Sequence, residues 1–222
     1  FFQDALWKAV KAGIQEIADC SGKYPNLIAV VGLPVRIGTK LCNCAAVFSR
    51  GEVVGIVPKT HLTAAEKRWF SSCRERVYLD PEDLGLVSSE DYWTVPVEAM
   101  SLFALGCETR MAIEICADLM VPQPCSSQLA MLGAEVILNP AASHSLVGKA
   151  EYRRDLVKHQ SAACSCVYAF ASAGYTESTA DLIYSGHSIL AENGTVLAEQ
   201  AELPAADYML VQDFDLGRIR AD

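Results

Sequence analysis

The chain has 222 residues and no long polar or low-complexity stretch; 51% are apolar and 20% charged, the balance of an ordinary globular core. A formal net charge of −9 disfavours a nucleic-acid partner, because neutralising phosphates takes a basic face, and pairs such as Lys67-Arg68 and Arg153-Arg154 are too short to make one. No apolar run is long enough to span a bilayer and no charged-then-apolar leader opens the chain, so neither a membrane partner nor secretion is expected. The nine cysteines, odd in number and widely spread, read as reduced cytoplasmic thiols and not as a disulfide scaffold.

In chain order, residues 2–18 place Ala5, Leu6, Val10, Ile14 and Ile17 at helical spacing and predict an amphipathic helix. The apolar run 27–32 reads as a buried strand ending at Gly32 and Pro34. Runs 43–48 and 52–57 flank Ser49-Arg50-Gly51-Glu52, a hairpin signal. Residues 60–92 are polar and irregular and are expected to form a loop-rich excursion. Strands follow at 101–105 and 110–115, then a helix after Pro124 with Ser126 as its cap and Gly133 closing it. A strand at 135–138, a helix at 149–165 and a strand at 166–173 come next, and 187–199 is a second hairpin turning on Asn193-Gly194. Strands alternating with helices between flanking hairpins predict a mixed sheet with helices outside it; spacing alone does not establish a second sheet. Cys42 and Cys44, like Cys164 and Cys166, would share one face of a strand as small buried side chains; neither pair has the ligand spacing of zinc, so no metal is expected. There is no internal repeat, G-x-G-x-x-G or Walker loop. Both termini, Phe1 without a preceding Met and Asp222, read as cuts through a longer protein.

Two features carry chemistry. In Arg110–Asp118 a strand delivers Cys116 to its carboxy end, where catalytic groups of α/β sheets gather and where turn N–H groups stabilise a thiolate; the plainer alternative is one more buried thiol. Lys59 follows the apolar strand of the first hairpin. Lysines there are usually surface cations, but a fixed cation beside a Cys nucleophile favours its thiolate and the oxyanion of the attacked carbonyl. His61, two residues on, offers a rival Cys-His pair.

The segments VPKTHL (57–62), EICADLMVP (114–122) and GAEVILNPAAS (133–143) resemble the lysine, cysteine and following-strand segments of the nitrilase superfamily. GKAEYRRDLV (148–157), ESTADLIYSGHSILAENGTVLAE (177–199) and DFDLGRI (213–219) are similar, more specifically, to the amidase domain of glutamine-dependent NAD synthetases. The resemblance covers nearly the whole chain. It implies a four-layer α-β-β-α sandwich of the nitrilase type lacking its first strand, occupied by one carbon–nitrogen hydrolase domain over 1–222, truncated at both ends. It implies that Cys116 attacks the side-chain amide of glutamine, that a glutamate base takes the thiol proton and gives it to ammonia, and that Lys59 and the N–H of Ala117 hold the oxyanion. Glu66, Ser143 and Lys149 match a second glutamate, a substrate-contacting serine and a basic position facing the substrate carboxylate. No cofactor is implied for the amide step; ATP and Mg belong to a covalently linked synthetase domain, which has no counterpart in these residues. A homo-oligomer is also implied.

Three departures stand out. The triad glutamate of these enzymes lies in a Pro-Glu-Leu segment upstream of Phe1. The loop KTHLTAAEKRWF is a few residues shorter and lacks their tyrosine, and Ala117 replaces a glutamate that holds the substrate's amino group. The departures keep two rivals open: another nitrilase-type hydrolase acting on a small amide or carbamoyl group, and a non-catalytic regulatory domain.

Overall fold

The computed structural model describes residues 3–86, 93–106, 108–179 and 181–221. The chain divides into two compact units, Phe1–Ala99 and Met100–Asp222. None of the described helices is long and apolar enough to cross a membrane.

The first unit opens with helix α1 (Asp4–Lys23), longer than its periodic core because nothing breaks the helix before Tyr24. Strands β1 (Ile28–Ile37), β2 (Lys40–Ser49), β3 (Glu52–Pro58), β4 (Val77–Leu79) and β5 (Val95–Val97) form one sheet in the order β1-β2-β3-β5-β4. Strand β2 is almost wholly buried. Its residues Cys42, Cys44, Ala46 and Phe48 form a core with Ile14 and Ala18 of α1 and with Val53 and Ile56 of β3. Full burial of a side chain the size of Phe48 or Ile56 stabilises by about 1.5–3 kcal/mol.

Two expectations about β1 are corrected here. Strand β1 does not stop before Pro34 but runs through it to Ile37, with Pro34 opposite Asn43. It lies at the sheet edge, where a proline's missing N–H need not interrupt a ladder; for the same reason β1 is only partly buried, not the buried strand its apolarity suggests. The excursion 60–92 contains β4 and two short 3₁₀ turns, Glu66–Arg68 and Pro81–Leu84, while 87–92 lies outside the described residues.

In the second unit, β6 (Leu102–Leu105), β7 (Thr109–Ile113), β8 (Val136–Ala141), β9 (Val167–Ser172), β10 (Ser188–Glu192) and β11 (Thr195–Gln200) form a sheet in sequential order. Strands β7, β8 and β9 are parallel, joined by helix α2 (Cys125–Met131) and helix α3 (Lys149–Ala163), since parallel neighbours need a crossover. The outer pairs β6–β7, β9–β10 and β10–β11 are antiparallel. A short helix α4 (Leu216–Ala221) closes the described chain. Ala112, Ile137, Tyr168, Phe170 and Ile189 from the strands pack with Leu129 of α2 and Val157 of α3. The β10–β11 hairpin turns on Asn193 (φ 41°) and Gly194 (φ 79°), two successive positive φ values that an Asn-Gly pair adopts cheaply.

Ser126 is not the cap of α2: Pro124 stands at that position, and the Ser126 N–H donates to the Glu114 carboxylate at 2.8 Å. Nor are Cys164 and Cys166 strand neighbours; Cys164 ends α3 and Cys166 precedes β9, so their spacing spans a helix-to-strand turn.

Candidate active site

Lys59 follows β3 and is only 3% exposed, so it is not the surface cation that its position after an apolar strand usually means. A buried ammonium needs a partner, and Glu66 provides one. Lys59 Nζ donates to both carboxylate oxygens, at 2.6 and 2.8 Å. Glu66 also accepts from Asn43 Nδ2 at 3.0 Å and from the Thr63 N–H at 2.8 Å. The Thr63 hydroxyl accepts from the Glu66 N–H in return, the reciprocal pattern of a Thr-x-x-Glu capping box. Backbone pins Lys59 as well, its N–H donating to the Asn43 carbonyl across the hairpin at 2.8 Å. Burial by itself would raise the Glu66 pKa; the hydrogen bond and charge of Lys59, with the Thr63 bonds, overcome it and hold the carboxyl below its ordinary value. Glu66 is thus a carboxylate fully engaged in orienting a cation. His61 is partly buried in the same loop.

Cys116 lies in the second unit, just beyond the carboxy end of β7, where a 3₁₀ turn Cys116–Leu119 begins. It is partly buried, whereas Cys42, Cys44, Cys73, Cys125 and Cys166 are buried. Its φ is 49°, a left-handed conformation that costs a non-glycine residue about 1–2 kcal/mol. The surrounding bonds over-determine this bend. The Cys116 N–H donates to Asn139 Oδ1 at 2.7 Å, and one residue earlier the Ile115 N–H donates to Asp118 Oδ2 at 3.1 Å. Ala117 follows inside the turn, partly buried, and its carbonyl accepts from the Met120 N–H.

Behind Cys116 stands a polar chain for which the sequence reading assigned no role. Asn139 Nδ2 donates to the Tyr168 hydroxyl at 2.9 Å, and that hydroxyl donates to Glu114 Oε1. Glu114, Asn139 and Tyr168 are at most 1% exposed. Burial pushes the Glu114 carboxyl up, the Tyr168 hydroxyl and Ser126 N–H pulling it back only in part, and burial beside Glu114 holds the Tyr168 phenol protonated. A signal was present: Glu114 and Asn139 interrupt the apolar strands RMAIEI and EVILNPA, and a polar group in such a run must find a partner.

Ser143, past the end of β8, is buried; its hydroxyl accepts from Arg153 Nη1 at 3.0 Å. Arg153 is wholly buried and also donates to the His144 carbonyl, to His187 Nδ1 and to Glu202. His187, without a role at the sequence level, thereby joins Arg153 to Glu199, its Nε2 lying 2.9 Å from Oε1. Lys149 opens α3, partly buried, with its ammonium 4.4 Å from the centre of the Tyr152 ring. The fold therefore brings Lys59 to Glu66 within the first unit, and Cys116 to Ala117 within one turn of the second, with Ser143 tied separately to Arg153.

The first unit thus buries a lysine bonded to a carboxylate, and the second holds a strand-end cysteine in a left-handed bend. The sequence matches the carbon-nitrogen hydrolase family over residues 7–222, spanning both units, and the chain belongs to that family. Among curated proteins, it is 33% identical over 224 residues to the glutamine-dependent NAD(+) synthetase of Mycobacterium leprae, covering 99% of this chain and 32% of that protein. Against the human glutamine-dependent NAD(+) synthetase it is 27% identical over 205 residues, 88% of this chain and 28% of that protein. The chain thus spans about a third of the length of the curated relatives it matches. The crystal structure of a glutamine-dependent NAD(+) synthetase from Cytophaga hutchinsonii superposes with a TM-score of 0.69 at 24% identity, over 87% of this chain and 31% of that one. A nitrilase-superfamily amidase from Nesterenkonia superposes at 0.68 with 17% identity, over 89% and 66%. The α/β architecture with two sheets is therefore of the nitrilase type.

Proposed function

We propose that the chain is a single glutaminase domain that hydrolyses the side-chain amide of glutamine to glutamate and ammonia. Cys116 attacks the amide carbon; the carbonyl oxygen becomes an oxyanion held by Lys59 and the Ala117 N–H; ammonia leaves and water then releases glutamate from the thioester. Glu66 fixes Lys59 and is a poor general base, since its carboxylate is saturated with donors and its pKa is lowered. The base is a separate glutamate, as in the similar enzymes. Ser143 and Lys149 bind the substrate. The ammonia feeds an ATP-using synthetase domain that amidates nicotinic acid adenine dinucleotide, in a cytoplasmic homo-oligomer.

The observation that carries this reading is the strained Cys116 bend at a strand end, in a chain 33% identical across its length to an enzyme named for glutamine-dependent NAD synthesis. Ala117 favours a second reading, a small amide lacking an amino group, because a methyl makes no charge-assisted bond. Ammonia release by the full protein from glutamine, beside acetamide and carbamoyl substrates, tests both. Release from glutamine that vanishes in Cys116→Ala is expected. Release that survives the substitution, or none from glutamine with the fold intact, would overturn the assignment.

A further inference from the structure

Glu114, directly after β7, and Asn139 and Tyr168, on the adjacent parallel strands β8 and β9, are three buried polar side chains, and their hydrogen bonds run in one direction. The Cys116 N–H donates to Asn139, Asn139 donates to Tyr168, and Tyr168 donates to Glu114. The far end is tied down too, since Glu114 Oε2 accepts the Ser126 N–H from the first turn of α2. Strand periodicity puts all three on the core side of the sheet: Glu114 follows Ala112 by two residues, Asn139 follows Ile137 by two, and Ala112, Ile137 and Tyr168 all line the core beneath α2 and α3. A polar row of this depth is kept only when every member is bonded, and then it rigidifies what it touches.

We infer that this Glu114–Tyr168–Asn139 chain is the positioning device of the nucleophile, holding Cys116 in its left-handed bend. The inference deepens the proposed reaction and rests on Cys116 being the nucleophile. Two consequences follow from the geometry. The Cys116 N–H points at Asn139 and is thereby committed, so the backbone of this turn offers an oxyanion the Ala117 N–H and not a pair of successive donors. In addition, the bend is held from the sheet, through β8 and β9, as well as by the Asp118 carboxylate of the turn that follows it. Asn139, Tyr168 and Glu114 are positioning residues; none is assigned contact with substrate.

The test compares wild type, Cys116→Ala, Asn139→Ala, Tyr168→Phe and the Asn139→Ala/Tyr168→Phe double variant of the full protein. Two readouts are used: glutamine kinetics, and the rate at which iodoacetamide alkylates Cys116, followed by mass spectrometry of its peptide. Thermal melting identifies folded variants. Asn139→Ala is expected to lower kcat by about tenfold to a hundredfold, the effect of misplacing a reacting atom, with KM within about twofold. Alkylation should slow in parallel. Tyr168→Phe, nearly isosteric and the milder change, should move both readouts the same way by a smaller factor. The double variant should be no worse than Asn139→Ala alone, because links of one chain are not additive. Folded variants with wild-type kcat and alkylation rates would overturn the inference, as would fully additive losses. Alkylation keeps the two claims apart: if wild type releases no ammonia from glutamine, the glutaminase reading fails while the effect of Asn139 on Cys116 is still measured.

Discussion

Glu66 holds Lys59 with both carboxylate oxygens, at 2.6 and 2.8 Å, and holds it where the lysine is almost wholly out of water. Removing one member of such a pair leaves the other charge buried and uncompensated. Glu66→Ala is therefore expected to cost roughly 2–4 kcal/mol, the lower part of the range applying because Glu66 retains some exposure. Urea unfolding of the two proteins measures it. The pH dependence has a definite sign. The folded pKa of Glu66 is depressed below its ordinary 4.5, so its stabilisation is fully present above that value and is lost as pH falls through the lower folded pKa. The stability gap between wild type and Glu66→Gln should narrow in that acidic window and be flat above it.

At Cys116 the backbone and the side chain pull in opposite directions. The thiol is needed for the proposed chemistry, but φ of 49° suits glycine better than any residue with a Cβ. Cys116→Gly and Cys116→Ala should both lack glutaminase activity. The glycine variant should nevertheless be more stable than the alanine variant by about 1 kcal/mol, read as a higher melting temperature. Equal stability would mean that the bend carries no strain.

Arg153 places its guanidinium among Ser143, the His144 carbonyl, His187 and Glu202, with no exposed surface. Arg153→Ala should destabilise by about 3–5 kcal/mol, because it strands Glu202 and leaves buried acceptors unpaired. At about 2–4 °C per kcal/mol for a domain of this size, melting should fall by roughly 6–20 °C. Arg153→Lys should recover only part of this, since one ammonium cannot reproduce the planar fork. KM for glutamine should rise in Arg153→Lys if Ser143 binds substrate, because the Ser143 hydroxyl loses the donor that orients it.

Ala117 offers a gain-of-function test. A carboxylate introduced by Ala117→Glu adds a charge-assisted acceptor for the amino group of glutamine, a bond of about 1.5–3 kcal/mol. The expected result is a KM for glutamine lower by about tenfold or more with kcat little changed, and no benefit for amides without an amino group. Steady-state kinetics on both substrate types decide it.

Much of this could be read along the chain, because it depends on near neighbours. Helical spacing in 2–18, alternation and turn residues at 49–52 and 193–194, and an apolar strand ending at Cys116 are short-range patterns, and each reappears as α1, the two hairpins and β7. Even the Thr63-Ala64-Ala65-Glu66 spacing carries the capping box that turns Glu66 back toward Lys59. Folding was needed wherever the partner lies far off in sequence. Whether Pro34 ends a strand depends on β1 standing last in its sheet among the described strands, which no local pattern encodes. Asn139 and Tyr168 reach Cys116 and Glu114 from 23 and 54 residues away, and only the parallel register of β7, β8 and β9 brings them together. His187 reads as an unremarkable polar residue until Arg153, 34 positions earlier, meets its ring. A sequence announces that a buried carboxylate, amide or imidazole requires a partner, since desolvation without one is costly. Which partner answers is a matter of strand order and register, and those are properties of the assembled sheet.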